Sequence, residues 1–143
     1  MGYTTTKHKL VIGLGASAIG DTWTAFAQNE KEVERYQQMI GAGQLPIING
    51  HLLSPEDLVL RNHILDLMCR DTTRLIPGTL SAEHIASIQD RLAPFIADGL
   101  ATYADDTITV TPAGKLFIRN ISSALDAHLH SRSTENRTFS KAI

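Results

Sequence analysis

The chain has 143 residues, 43% of them apolar, and a formal net charge of −2. That is one domain's length with enough apolar content for a core, and the charge balance argues against a large basic surface for nucleic acid while leaving room for a local patch. The single cysteine, Cys69, excludes an internal disulfide framework or a thiolate-rich metal cluster and fits a reducing, cytoplasmic setting; no apolar run approaches the roughly 18 residues of a membrane span.

The opening "MGYTTTKH" has neither a cap nor a helical period. It runs straight into residues 10–13, an apolar run fit for a short buried strand. A lone strand ahead of a helical chain looks like a cut edge. Residues 13–29 are rich in Gly, Ala, Ser and Thr, carry the only tryptophan, Trp23, and are expected to be an irregular loop. At roughly 15 residues such a loop is longer than most connections and is usually functional or interfacial.

Asn29 is placed to cap a first helix, with Glu32 completing a capping box. Val33, Tyr36 and Ile40 share one face, and Gly41 and Gly43 end the helix. "QLPIING" is a short extended piece. Ser54 caps a second helix with Pro55 in its first turn, buries Leu60, Ile64, Leu67 and Met68, and gives way near Arg70. "TTRLIPG" is another extended link. Ser81 caps a third helix with Ile85, Ile88, Leu92 and Phe95 inward and a kink or break expected at Pro94. Residues 100–103 and 107–110 alternate as strands around an Ala104-Asp105-Asp106 turn. A last helix starts at Thr111-Pro112 with Ile118, Ile121, Leu125 and Leu129 inward, and residues 131–143 form a polar tail.

This order of helices around a two-stranded ribbon is winged-helix-like, because such a ribbon is marginal unless it lies against helices. In winged helices that bind DNA, the helix before the ribbon enters the major groove. Here that helix presents Glu83, Asp90 and Asp98 against Arg91, and the ribbon tip is Asp105-Asp106, so phosphate would be repelled.

The chemistry-bearing motifs are sparse. Gly13-Leu14-Gly15-Ala16-Ser17-Ala18 formally matches the G-x-G-x-x-A dinucleotide fingerprint. That pattern needs a βαβ unit and an acidic residue at a second strand, and here Glu32 and Glu34 fall on a helix. A tight strand exit and a close-approach wall for a ligand are the competing readings. None of the histidines (8, 51, 63, 84, 128, 130) has the i, i+4 spacing of a helical zinc site; they are expected at the surface or at caps. Cys69 is expected to be a buried small hydrophobe, and Asp105 and Asp106 turn residues. Ser17 has no evident base. No complete catalytic constellation and no metal site is present.

Taken in order, "GYTT", "IGLGASAI", "AQNEKEVERY", "LPIINGHLLSPEDLVLRNHILDLMC", "TPAGKLFIRNI" and the closing "FSKAI" resemble the C-terminal part of the oxygen-independent coproporphyrinogen III oxidases, over essentially the whole chain. The resemblance implies a parent enzyme that oxidatively decarboxylates coproporphyrinogen III to protoporphyrinogen IX with a radical made from S-adenosylmethionine at a 4Fe-4S cluster. That cluster sits on a C-x-x-x-C-x-x-C loop of a partial β/α barrel preceding this region. The chain is then a C-terminal fragment that binds neither cofactor by itself and is inactive alone. Its partners are the N-terminal barrel of the same polypeptide and the porphyrinogen, with no nucleic acid and no membrane.

The fold so implied is mainly α with a small β-hairpin: a winged-helix-like cap preceded by one orphan barrel strand. Residues 1–28 are the last barrel strand and its small-residue loop, 29–130 the cap, and 131–143 the tail. In the family the stretch after this strand lines the active site, and its isoleucine packs against a second S-adenosylmethionine. The matching residue is Ile19, flanked by Ala18, with Gly15 permitting close approach. Two departures stand out: Asn49-Gly50 where relatives often have Arg-Gly, and Arg61-Asn62 where they have paired arginines. The family also has haem-binding relatives without the oxidase activity. The competing class is a stand-alone winged-helix interaction or DNA-binding module.

Overall fold

Residues 13–29, expected as an irregular loop, fold in the computed structural model as most of a β-hairpin. The structure describes residues 10–76 and 78–126; His8, His128, His130, Leu129 and the expected 131–143 tail lie outside them. The chain divides into two units, Met1–Pro55 and Glu56–Ile143.

In the first unit, β1 (Ile19–Asp21), β2 (Ala25–Asn29) and β3 (Ile47–Leu52) form an antiparallel sheet in that order, with α1 (Val33–Gly41) between β2 and β3. The residues expected to form an orphan strand are not unpaired. Val11 makes one antiparallel bridge to Asp21, with N–H to carbonyl bonds of 2.6 and 2.7 Å. The turn from β1 to β2 puts Trp23 at φ +70°, held by its N–H donating to the Asp21 carboxylate at 2.8 Å. A left-handed tryptophan is unusual, and it hides the turn from any reading that looks for Gly or Asn. The register of β2 on β3 shifts between Gln28 and Asn29, so that Asn29 faces Ile47. Asn29 therefore lies in β2, where the sequence reading divides barrel segment from cap.

Among its described residues the first unit has almost nothing buried: the buried positions are Asn29, Glu30 and Pro46. Every β3 residue is exposed, as are Leu10, Val11, Ile12, Leu14, Val33 and Leu45.

The core lies in the second unit. There α2 (Pro55–Arg70) and α3 (Ala82–Ala97) accompany β4 (Thr72–Arg74), β5 (Ala101–Ala104) and β6 (Thr107–Val110), a 3-10 turn at Ala113–Phe117 and α4 (Ile118–Ser123). Leu67, Leu75, Ile88, Leu92, Ile108, Ile121 and Leu125 are fully buried. The expected ribbon is β5–β6, with Asp105 and Asp106 both at positive φ in its two-residue turn, the form a tight hairpin favours. The "TTR" link adds β4 as a third strand in the order β4-β6-β5. Across the described residues the chain is thus mixed α and β, four helices and two small antiparallel sheets, rather than mainly α.

Three local expectations are corrected. α3 runs through Pro94 to Ala97 without a break. Cys69 is exposed, because the buried stripe of α2 runs through Leu60, His63 and Leu67 and two further residues turn about 200° around the helix. His63 is buried rather than at the surface: its Nδ1 lies 2.8 Å from the Thr73 hydroxyl, joining α2 to β4. In α3, Arg91 donates to the Ala124 carbonyl at 2.6 Å and to Ser87 at 2.6 Å, so this cation is turned inward to hold the C-cap residue of α4.

Burial holds the His63 imidazole below its ordinary value, against the opposing pull of the Asp66 carboxylate. The neutral ring is therefore the folded form. Its contribution to stability is complete above the ordinary value of 6.5 and is lost as pH falls below it toward the depressed folded value. The expected result is a melting temperature that declines from pH 7 to pH 5, with a shallower decline in His63→Gln. Equal slopes in the two proteins would refute the assignment.

Candidate functional site: the glycine turn of the first unit

The small-residue stretch closes on itself before it meets anything else. A Cβ on Gly13 would come within 2.7 Å of the Ile19 carbonyl carbon and 2.9 Å of the Gly20 nitrogen. Gly13 is thus glycine because the chain's own strand passes over it, the tight-exit reading. Gly15 differs. It sits at φ +101°, and a Cβ there would meet nothing within 4 Å, so its outer side is open.

Three neighbours, Asn29, Glu30 and Tyr36, fix the turn. The Asn29 side chain donates from Nδ2 to the carbonyls of Gly13 and Gly15, each at 3.0 Å. Its backbone N–H donates to the Ala18 carbonyl at 2.9 Å, and Ser17 N–H donates to the Glu30 carbonyl at 2.8 Å. Gly15 N–H donates to the Tyr36 hydroxyl at 3.1 Å. Ala18 N–H closes the turn on the Gly15 carbonyl at 3.3 Å, and Ile19 opens β1 opposite Gln28. Gly15, Ala18 and Ile19 are thereby set side by side on one hydrogen-bonded segment.

The expected capping box is not what starts α1. Glu32 occupies the cap position without a side-chain bond, and Asn29 is engaged by the glycines. Glu30 does the work instead: its carboxylate accepts from Lys31 N–H at 2.7 Å and Glu32 N–H at 3.2 Å and pairs with Arg35 at 3.2 Å. The Glu32 and Lys31 amides, with the Arg35 guanidinium behind them, hold this carboxyl below its ordinary value. A depressed carboxyl stabilises above its ordinary 4.5 and loses that contribution as pH falls below it. Glu30→Gln should therefore weaken protection of the Lys31 and Glu32 amides from hydrogen exchange at pH 7 and leave it nearly unchanged at pH 3. Equal protection at pH 7 would count against it.

Asn29 and Tyr36 were legible only as a helix cap and as a helix face. The one signal in the sequence is general: a half-buried tyrosine normally finds a partner for its hydroxyl. An asparagine that turns back to glycines 14 and 16 residues earlier leaves no mark in local spacing.

No family model matches the chain. Among curated proteins it is 37% identical over 150 residues to the oxygen-independent coproporphyrinogen III oxidase of Thermostichus vulcanus, covering 99% of this chain and 45% of that protein. With the enzyme of the same name from Salmonella typhimurium it shares 32% identity, over 99% of this chain and 32% of the relative. The chain matches one part of the oxygen-independent coproporphyrinogen III oxidases over nearly its whole length. A solved structure of coproporphyrinogen III oxidase from Escherichia coli, described there as a radical SAM enzyme, matches 88% of this chain and 30% of its own length, at 34% identity and a TM-score of 0.74. The chain spans less than half the length of these relatives.

The groups this family implies divide cleanly. An iron–sulfur cluster is held by three or four thiolates. The whole chain has one cysteine, and no group of three His, Cys, Asp or Glu among the described residues could hold a metal. The cluster does not fit here. At the turn, the open side of Gly15 leaves its backbone accessible to close approach. Among the described residues no helix is long and apolar enough to cross a membrane.

Proposed function

We propose that the chain is the C-terminal part of an enzyme that oxidatively decarboxylates coproporphyrinogen III to protoporphyrinogen IX by S-adenosylmethionine radical chemistry. In this reading residues 1–28 are the end of the barrel wall, residues 29–130 a winged-helix-like cap, and residues 131–143 a tail. The β4-β6-β5 order beside α2 and α3 supports the winged label. The cluster and the radical source come from the preceding barrel, and this chain alone is inactive. Ile19, Ala18 and Gly15 form the surface that meets a second S-adenosylmethionine, and the helical cap excludes water from the radical. The enzyme works in the cytoplasm.

The observation that carries the reading is that the described residues of the first unit build no apolar core. Its sheet and α1 bury no large apolar side chain, while ten large apolar residues among those described are exposed: Leu10, Val11, Ile12, Leu14, Val33, Ile40, Leu45, Ile47, Ile48 and Leu52. A sheet cannot be stable with its apolar side chains in water. The relatives extend well beyond the matched region, and the missing length supplies a covering partner.

The test is the coding sequence upstream of Met1. It should encode a C-x-x-x-C-x-x-C segment, and the full-length product should consume S-adenosylmethionine and coproporphyrinogen III without oxygen. A frame with no such cysteines would overturn the reading. Affinity of the chain for duplex DNA at modest salt would favour the stand-alone binding module instead.

A further inference from the structure

The second unit has an open cleft of about 630 Å³ lined by Asn62, His63 and Asp66 of α2 and by Thr73, Arg74 and Ile76 of the chain through β4. That volume is within the range of small-molecule sites. Asn62 and His63 lie four and three positions before Asp66, so the three share one side of α2.

His63 is the informative wall. It is 7% exposed, and Thr73, whose hydroxyl lies 2.8 Å from its Nδ1, is 4% exposed. Among the described residues neither side chain makes another hydrogen bond. Burial keeps the ring neutral. The Thr73 hydroxyl hydrogen therefore has Nδ1 as its acceptor, and the ring's one proton sits on Nε2. Nε2 is not one of the enclosed side-chain atoms left without a partner, which are Arg91 Nη2 and Ser122 Oγ. It is an unpartnered donor that opens on the cleft. Arg74 adds a guanidinium with no ion-pair partner among the described residues, and Asn62 an exposed amide. The one carboxylate of the lining, Asp66, is engaged by Arg70 at 3.2 Å. Ile76, well exposed, supplies apolar surface to the same cleft.

We propose that this cleft binds a small organic monocarboxylate with an apolar body. The carboxylate is taken by the Arg74 guanidinium and the Nε2–H of His63, and the apolar part lies on Ile76. A planar carboxylate matches the guanidinium fork. A dianion such as phosphate is disfavoured, because the Asp66 carboxylate shares the lining. The site lies wholly within the second unit and is independent of the reaction proposed for the parent enzyme.

The test is equilibrium dialysis of radiolabelled octanoate against the full-length protein at pH 7, with octan-1-ol and inorganic phosphate as competitors. Octanoate should bind saturably. Arg74→Met keeps an apolar stem and removes the fork, and should weaken binding about 10-fold or more, the scale of a lost charge-assisted hydrogen bond. Asp66→Asn removes the like charge and should strengthen it about 2- to 5-fold, the scale of one partly exposed charge pair. Octan-1-ol and phosphate should each compete at least about 10-fold more weakly than unlabelled octanoate. Native affinity in Arg74→Met, or octan-1-ol competing as well as octanoate, would show apolar adsorption only and overturn the proposal. Phosphate competing as well as octanoate would overturn it too, since the apolar body would then contribute nothing. Should Arg74→Met fail to fold, Asp66→Asn and the two competitors decide, and unchanged or weaker octanoate binding in Asp66→Asn counts against the site.

Discussion

Gly114→Ala should unfold the second unit's C-terminal packing, with a loss of about 3 kcal/mol or more. Helix propensity argues the opposite way, since alanine is favoured over glycine in a helix interior by roughly 1 kcal/mol. Steric contact decides. A Cβ at Gly114 would lie 1.9 Å from the Leu100 carbonyl oxygen and 2.8 Å from its carbon, with a Val110 methyl at 3.1 Å. The obstacle is backbone, and it is tethered: the Leu100 carbonyl accepts from Thr111 N–H at 3.0 Å and from the Thr111 hydroxyl at 3.2 Å. Thr111 in turn caps Gly114 N–H at 3.1 Å. The carbonyl cannot swing aside without breaking the start of the 3-10 turn. The melting temperature should fall by on the order of 10–20 °C for a unit of this size. Gly41→Ala is the control, because nothing lies within 4 Å of its added Cβ. A Gly114→Ala protein melting with the native one would show that the contact is relieved at no cost.

Ile19→Asp in the full-length enzyme should cost turnover by on the order of 100-fold or more, the scale on which a misplaced reactant loses rate. Ile19 is half-buried at the start of β1. Its replacement sets a carboxylate where the proposed ligand surface is apolar, and an unpaired charge there is not solvated when the ligand arrives. Ile19→Val keeps the surface and should retain most activity. Iron content should match the native enzyme in both, since the proposed reading places the cluster in the preceding barrel. Native turnover in Ile19→Asp would remove Ile19 from the site.

Helices were legible where an apolar stripe coincided with an end signal. Ser54-Pro55 and Ser81 open α2 and α3 where the structure has them, and the Ser81 side chain accepts from His84 N–H. The Asp105-Asp106 turn was legible for the same reason, local chemistry at a fixed offset. The first sheet was not. Its strands are short and small-residue-rich, its β1–β2 turn is carried by a tryptophan at positive φ, and its apolar side chains are not sorted between a buried and a wet face. Alternation does not appear in β3, every residue of which is exposed. Asn29 was misread because capping is a local use of asparagine and its actual contacts reach back 14 and 16 residues.

Because one side-chain amide grips two glycine carbonyls, the bend that carries them is held in shape by the chain's own polar groups. Docking there would order nothing in the polypeptide, so little conformational entropy would oppose it. Calorimetry should then register only the surface that the newcomer itself hides from water, with a correspondingly modest change in heat capacity.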